Sequence, residues 1–231
     1  MTNTRFITSA DGARIAYEVC GSGPTLMLLH GFGSDRRQWH QHGWVERLCS
    51  DYTVITVDMR GCGESDVSSN PGFYAPTAHL NDVHAIVDAC GAAAFALVGM
   101  SWGATVARHL VAHSDRATRG VLMSAYFGQY FTETFLAAQM EHYGHDPILA
   151  ARIQGLRAWP GVELADLRAP TLVITGTKDG NVFEMLQAQR PAINAAGVGL
   201  EVFEDLDHGG LIEAVAVVLP RVHAFLAASV P

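Results

Sequence analysis

Charge is scarce in this chain of 231 residues. Asp, Glu, Lys and Arg make up 16% of it against 49% apolar residues, which excludes a chain too polar to collapse. Basic charge is the scarcer kind. Lys and Arg number 15 and Asp and Glu 23, a formal net charge of -8, so neither a nucleic acid nor an anionic membrane is an expected partner. Long apolar runs are missing too, and no stretch is long enough to span a bilayer. The opening Met1-Thr2-Asn3-Thr4-Arg5-Phe6 lacks the apolar core of a signal peptide. Cysteine is sparse. Cys20, Cys49, Cys62 and Cys90 are scattered without paired spacing, so they read as reduced thiols in a cytoplasmic protein, not as a disulfide framework or a zinc site. His40-Gln41-His42, and His142 with His145, have no cysteine or carboxylate at ligand spacing. Gly21-Ser22-Gly23 and Gly61-Cys62-Gly63 neither open a helix with the dinucleotide spacing nor end in Gly-Lys-Ser/Thr. The expectation is therefore no cofactor and no metal.

What the chain does have is alternation. Strands are predicted at 5–8 and 14–19, a hairpin around Asp11-Gly12, then at 25–29, 53–57, 95–98, 120–124, 171–175 and 200–203. Helices are predicted at 37–48, 77–89, 104–113, 183–193 and 211–228, with Pro220 as a point of break or kink in the last. Alternating strands and helices imply a mostly parallel sheet covered on both faces, a three-layer α/β/α fold. One interval breaks the alternation. Residues 126–170 hold no strand pattern but two helical runs, 132–143 and 147–159, with Asp146 as a cap and Pro147 in the first turn of the second.

The strand predicted at 95–98 runs into Gly99-Met100-Ser101-Trp102-Gly103, and a helix-compatible run follows at once. Gly-x-Ser-x-Gly in that setting is a sharp strand-to-helix turn, crowded enough that Gly99 and Gly103 stand where a Cβ would collide. The turn pushes the Ser101 hydroxyl out at the carboxyl end of a strand. A serine hydroxyl is a poor nucleophile at neutral pH and needs a base, commonly a histidine held by a carboxylate. Downstream, Asp179 follows the strand at 171–175 and His208 follows the strand at 200–203. Both sit where an open α/β sheet binds its ligand. Asp179 has a plainer competing role, capping a helix that starts near Asn181. The triad role is preferred because no acid follows the preceding strand at Ser124-Ala125-Tyr126. Asp205 and Asp207 lie too near His208 in sequence to orient it and are expected to be loop or cap residues. His30 is expected to bond loop backbone, Asp58 and Arg60 to fix loops, and His223 to be partly buried packing.

Four motifs occur in order: His30-Gly31-Phe32-Gly33, the run from Asp58 to Ser65, the Ser101 turn, and the Asp179 and His208 loops. On these the chain resembles an α/β-hydrolase of the Ser-Asp-His type over nearly its whole length. The resemblance implies an α/β core of residues 1–125 and 171–231, with a short helical lid, 126–170, after the sixth strand. It implies Ser101 as nucleophile, His208 as base and Asp179 as the acid that orients it, with the backbone N–H groups of Phe32 and Trp102 as oxyanion hole. Phe127, Phe131 and Phe135 are expected to line the substrate pocket. The implied activity is hydrolysis of small or medium carboxylic esters, lactones or thioesters through an acyl-enzyme, on a small-molecule ester-like substrate, by a monomer or homodimer. The alternatives are a perhydrolase (cofactor-free haloperoxidase), a hydroxynitrile lyase, or a ligand-binding receptor with little turnover. Trp102 beside the nucleophile also recurs in epoxide hydrolases and haloalkane dehalogenases, whose nucleophile is aspartate. Serine at 101 closes their alkyl-ester route.

Overall fold

The computed structural model describes residues 3–228. Met1 and Thr2, which begin the amino-terminal motif read above, and the last three residues of the 171–231 segment lie outside the described residues. At the centre is one sheet of eight strands: β1 (Arg5–Thr8), β2 (Arg14–Cys20), β3 (Thr25–Leu29), β4 (Thr53–Val57), β5 (Phe95–Met100), β6 (Ala117–Met123), β7 (Thr171–Gly176) and β8 (Gly199–Phe203). Their spatial order is β1-β2-β4-β3-β5-β6-β7-β8. The β1–β2 hairpin and the β2–β4 pair are antiparallel, and the remaining pairs are parallel. The inner strands are apolar throughout, as burial on both faces requires. One face is covered by α3 (Pro76–Ala89), α4 (Trp102–His113) and α7 (Gly180–Ala195). The other is covered by α1 (Arg37–Gln41), α2 (Trp44–Leu48), α8 (Gly210–Glu213) and α9 (Val215–Ala227). The three-layer expectation holds.

Strand register decides where the functional loops meet. Leu29 lies beside Gly99, Met100 beside Met123, Met123 level with Ile174, and Gly176 beside Phe203. The carboxyl ends of β3, β5, β6, β7 and β8 therefore share one edge, from which His30, Ser101, Ser124, Asp179 and His208 all depart.

The connection from β6 to β7 carries α5 (Glu133–Tyr143) and α6 (Pro147–Gly155), joined by an isolated bridge between Gly128 and Val162 at its base. Thr132 caps α5 by accepting from the Phe135 amide, and Asp146 caps α6 by accepting from Ile148 and Leu149. The helix predicted to run to residue 159 ends at Gly155, and a 3-10 turn carries the chain on to Ala158.

Three expectations are corrected. The single helix predicted over 37–48 is two, because Gly43 takes φ 72° between them. The turn lets Trp39 and Trp44 both bury edge to face at 5.5 Å, with the Trp44 indole donating to the Ile212 carbonyl. The closing helix breaks at Ala214, not at Pro220, which α9 contains. Val215, Val218, Leu219 and Val222 anchor that helix to the core on both sides of the proline. Finally, Cys20 and Cys49 form a disulfide, with their Cα atoms 5.8 Å apart. The end of β2 and the turn after α2 are 29 residues apart in sequence but adjacent in space. Cys62 and Cys90 remain free thiols. The pairing removes the cysteine argument for a reducing compartment. No helix among the described residues is long and apolar enough to cross a membrane.

Candidate active site

Ser101 sits between β5 and α4 with φ 54°, a conformation that costs roughly 1–3 kcal/mol for a non-glycine residue. Its neighbours hold it there. The Ser101 amide donates to the Met123 carbonyl at 2.8 Å, and its carbonyl accepts from Thr105 at 3.0 Å. A Cβ at Gly99 would meet the Gly103 carbonyl, and one at Gly103 would meet the Leu29 carbonyl. Both glycines are therefore required for β3, β5 and α4 to approach so closely.

Asp179 and His208 are brought together by cross-bonding of their loops. The Thr177 amide donates to Phe203, the Lys178 amide to Leu206, and the Asp205 amide to the Thr177 hydroxyl. Across that zip His208 Nδ1 lies 2.8 Å from Asp179 Oδ1. Asp179 makes no side-chain cap to α7, so its plainer competing role is not realised. Its carboxylate is 2% exposed while the imidazole is 50% exposed, so the acid is buried behind a ring that faces solvent and cavity. Asp207 accepts from the Gly210 amide and Asp205 pairs with Lys178. Both are loop residues, as expected.

Ser124, expected as the last residue of the strand at 120–124, is the first residue past β6 and carried no expected role at the site. It is fully buried with φ 59°. Its hydroxyl donates to Asp179 Oδ2 at 2.6 Å, and its oxygen lies 2.7 Å from His208 Nδ1. The one available signal was position, since it ends a central strand on the same edge as Ser101.

Ser101 and His208 line a cavity of about 280 Å3 beneath α5 and α6. Phe32, Trp102, Tyr130, Phe131, Phe135 and Tyr143 supply most of its ring surface, and Ile153 and Leu156 close it. Phe131 and Phe135 are thus where they were expected. Phe127 is not: it is buried in the core, its amide and carbonyl both bonded to the Gln189 side chain. Tyr130 was missed. Burial, with Tyr126 and Asp179 nearby, pushes its phenol up to about 12, so it stays protonated. Trp102 is buried in edge contacts with Trp159 at 4.7 Å and His79 at 5.4 Å.

The amides of Phe32 and Trp102 have no backbone partner among the described residues, and Trp102 is the first residue of α4, where an N–H is free. Beneath Phe32, His30 accepts from the Met59 amide at Nε2 and donates to Gly31 at Nδ1. Burial lowers its pKa to about 4, so the ring is neutral and its tautomer fixed. Asp58 accepts from the Arg36 and Glu64 amides and pairs with the Arg36 guanidinium. Arg60 is fully buried among Asp82, Asp11 and Ser9. These are the loop-fixing roles expected of them. His223 is 41% exposed and pairs with Asp51.

Residues 24–143, just over half of the chain, match the family model described as alpha/beta hydrolase fold. Epoxide hydrolase 3 of Xenopus tropicalis is 31% identical over 117 residues, covering 49% of this chain and 31% of that protein. The chain thus spans about a third of that relative's length. A hydrolase from Pseudomonas aeruginosa superposes with TM-score 0.79 at 23% identity, over 98% of this chain and 99% of that one. The esterase RhEst1 from Rhodococcus sp. superposes with TM-score 0.72 at 24% identity, over 97% and 98%. At those identities the solved structures bear on the fold.

Proposed function

The chain belongs to the α/β-hydrolase fold family, and from that premise we propose that it is a serine hydrolase of small or medium carboxylic esters. The observation that carries the reading is Ser101, held on its strained turn, sharing a cavity wall with a histidine bonded to a buried carboxylate. In the proposed cycle His208 Nε2 takes the Ser101 proton as Oγ attacks the carbonyl carbon. Asp179 keeps the other ring proton on Nδ1 and stabilises the imidazolium. The oxyanion is received by the Phe32 and Trp102 amides. The carbonyl–oxygen bond then breaks, and His208 returns its proton to the leaving alcohol. Water attacks the acyl-enzyme by the same route, releasing acid and restoring Ser101. α5 and α6 act as the lid that keeps the apolar arm of the substrate dry.

Similarity to an epoxide hydrolase invites epoxides as substrates. Serine argues against them. A hydroxyl that opens an epoxide leaves an ether on the enzyme, with no carbonyl for water to attack, whereas a carboxylate leaves an ester. A panel of p-nitrophenyl esters from acetate to decanoate, with styrene oxide as control, compares wild type and Ser101→Ala. Ester turnover abolished by the substitution supports the reading. Turnover of the epoxide alone, or of neither, overturns it.

A further inference from the structure

Ser101, His208 and Phe32 also line a second chamber of about 290 Å3, bordered by α1 and α8 instead of α5 and α6. The two chambers meet at the reacting atoms but differ in chemistry. Phenyl, phenol and indole rings line much of the first. The second sets Ser34, Gln38, Gln41, His42 and Glu213 beside Phe32, Met100 and Ile212. We propose that the second chamber holds the leaving alcohol of the substrate, and that this alcohol carries further hydroxyl or ammonium groups. The proposal rests on the ester-hydrolase reading. Both chambers touch His208, so the leaving oxygen meets the base from either one, and the side is assigned by the polar wall that this chamber carries beside Gly209 and α8. The chemistry follows from the donors and acceptors. A carboxylate accepts only, and glutamine amides both donate and accept, so the complementary ligand brings hydrogens of its own. An alkyl alcohol there would displace water from these groups without replacing its hydrogen bonds.

Glycerol monobutyrate and n-propyl butyrate share an acyl group and test this by titrating released acid. Wild type is expected to favour the glyceryl ester roughly fivefold to tenfold in kcat/KM. In Gln41→Leu/Glu213→Leu, both surface positions, the preference falls to about twofold or less. Equal rates on the two esters in wild type, or a preference that survives the double substitution, overturns the second-chamber assignment and leaves ester hydrolysis standing. Failure to cleave either ester, or any in the p-nitrophenyl panel, removes the underlying reading as well.

A different observation concerns the base. The His208 Nδ1 proton has two acceptors within reach, Asp179 Oδ1 at 2.8 Å and the Ser124 oxygen at 2.7 Å. The Ser124 hydroxyl proton goes to the other carboxylate oxygen, Asp179 Oδ2, at 2.6 Å. Ser124 thus closes a three-membered ring of bonds around the acid–base pair, from a backbone conformation that disfavours any residue with a Cβ. We infer that Ser124 is a positioning residue, fixing the imidazole so that Nε2 faces Ser101. Without it, Asp179 Oδ2 keeps, among the described residues, Thr175 Oγ1 at 3.3 Å, and the ring pivots on one bond. Ser124→Ala and Ser124→Gly separate the hydroxyl from the backbone, since glycine accepts φ 59° without strain. Both are expected to lose roughly tenfold to a hundredfold in kcat with KM nearly unchanged. If glycine keeps the wild-type kcat, or if the loss falls on KM, the hydroxyl does not position the base.

Discussion

The two halves of the site are built differently. Around the strand ends, polar groups are fixed by directional bonds, with Asp179 holding His208, Met59 and Gly31 holding His30, and Asp82 and Asp11 holding Arg60. The 126–170 connection presents ring against ring, Tyr130 on Phe131 at 5.1 Å and Phe131 on Phe135 at 5.8 Å, and lays the Arg152 guanidinium over the Phe32 ring at 4.2 Å. Hydrogen bonds fix angles, whereas apolar packing fixes volume and tolerates exchange of shape. The first half should therefore set the rate constant of the chemistry, and the second should set which acyl groups are accepted.

The sharpest break of that comparison is Asp179→Asn. An amide in place of the carboxylate favours the wrong imidazole tautomer, and kcat on p-nitrophenyl butyrate should fall roughly a thousandfold or more with KM little changed. A near-normal rate would move the acid elsewhere. Next is Arg60→Met, which leaves Asp82 buried without its cation and should cost about 3–5 kcal/mol in urea unfolding. A loss under 1 kcal/mol would mean that the loop is held by packing instead.

The buried rings give a pH test. Burial lowers His30 to about 4 and His79 to about 3 from the ordinary 6.5, so both are neutral in the fold. The unfolded chain binds their protons first. Stability is then full above pH 6.5 and is lost as pH falls toward 4, by on the order of 3 kcal/mol per ring. Denaturant midpoints at pH 7.5, 6 and 5 should decline in that order, and a midpoint that rises on acidification would contradict it. The smallest effect belongs to the aromatic half. Phe135→Ala should raise KM for the hexanoate ester about fivefold over that for acetate, with kcat nearly constant. A fall in kcat on both esters would mean that the rings also hold the catalytic groups.

Much of this was legible in the residues. The strand ends were, because each of Ser101, Asp179 and His208 follows a recognisable strand, buried before the first two and a half-buried edge strand before the third. What stayed hidden depends on register and side-chain direction. Ser124 belongs to no motif, and its role appears when Met123 is set level with both Met100 and Ile174. Cys20 and Cys49 looked unrelated until the β2–β4 pairing set Cys20 beside Val54. Phe127 and Phe131 are equally apolar, but the chain turns at Gly128, φ 88°, and sends one into the core and the other to the cavity wall. The second chamber is made by α1 and α8, which are far apart in sequence.

The central claim is a covalent acyl-enzyme on Ser101. Quenching the protein in acid milliseconds after mixing with p-nitrophenyl butyrate, then measuring peptide masses, tests it directly. The account predicts a butyryl adduct on the peptide that contains Ser101, formed with the p-nitrophenolate burst and absent from Ser101→Ala. A burst with no adduct there, or an adduct on Asp179 or another residue, would contradict it.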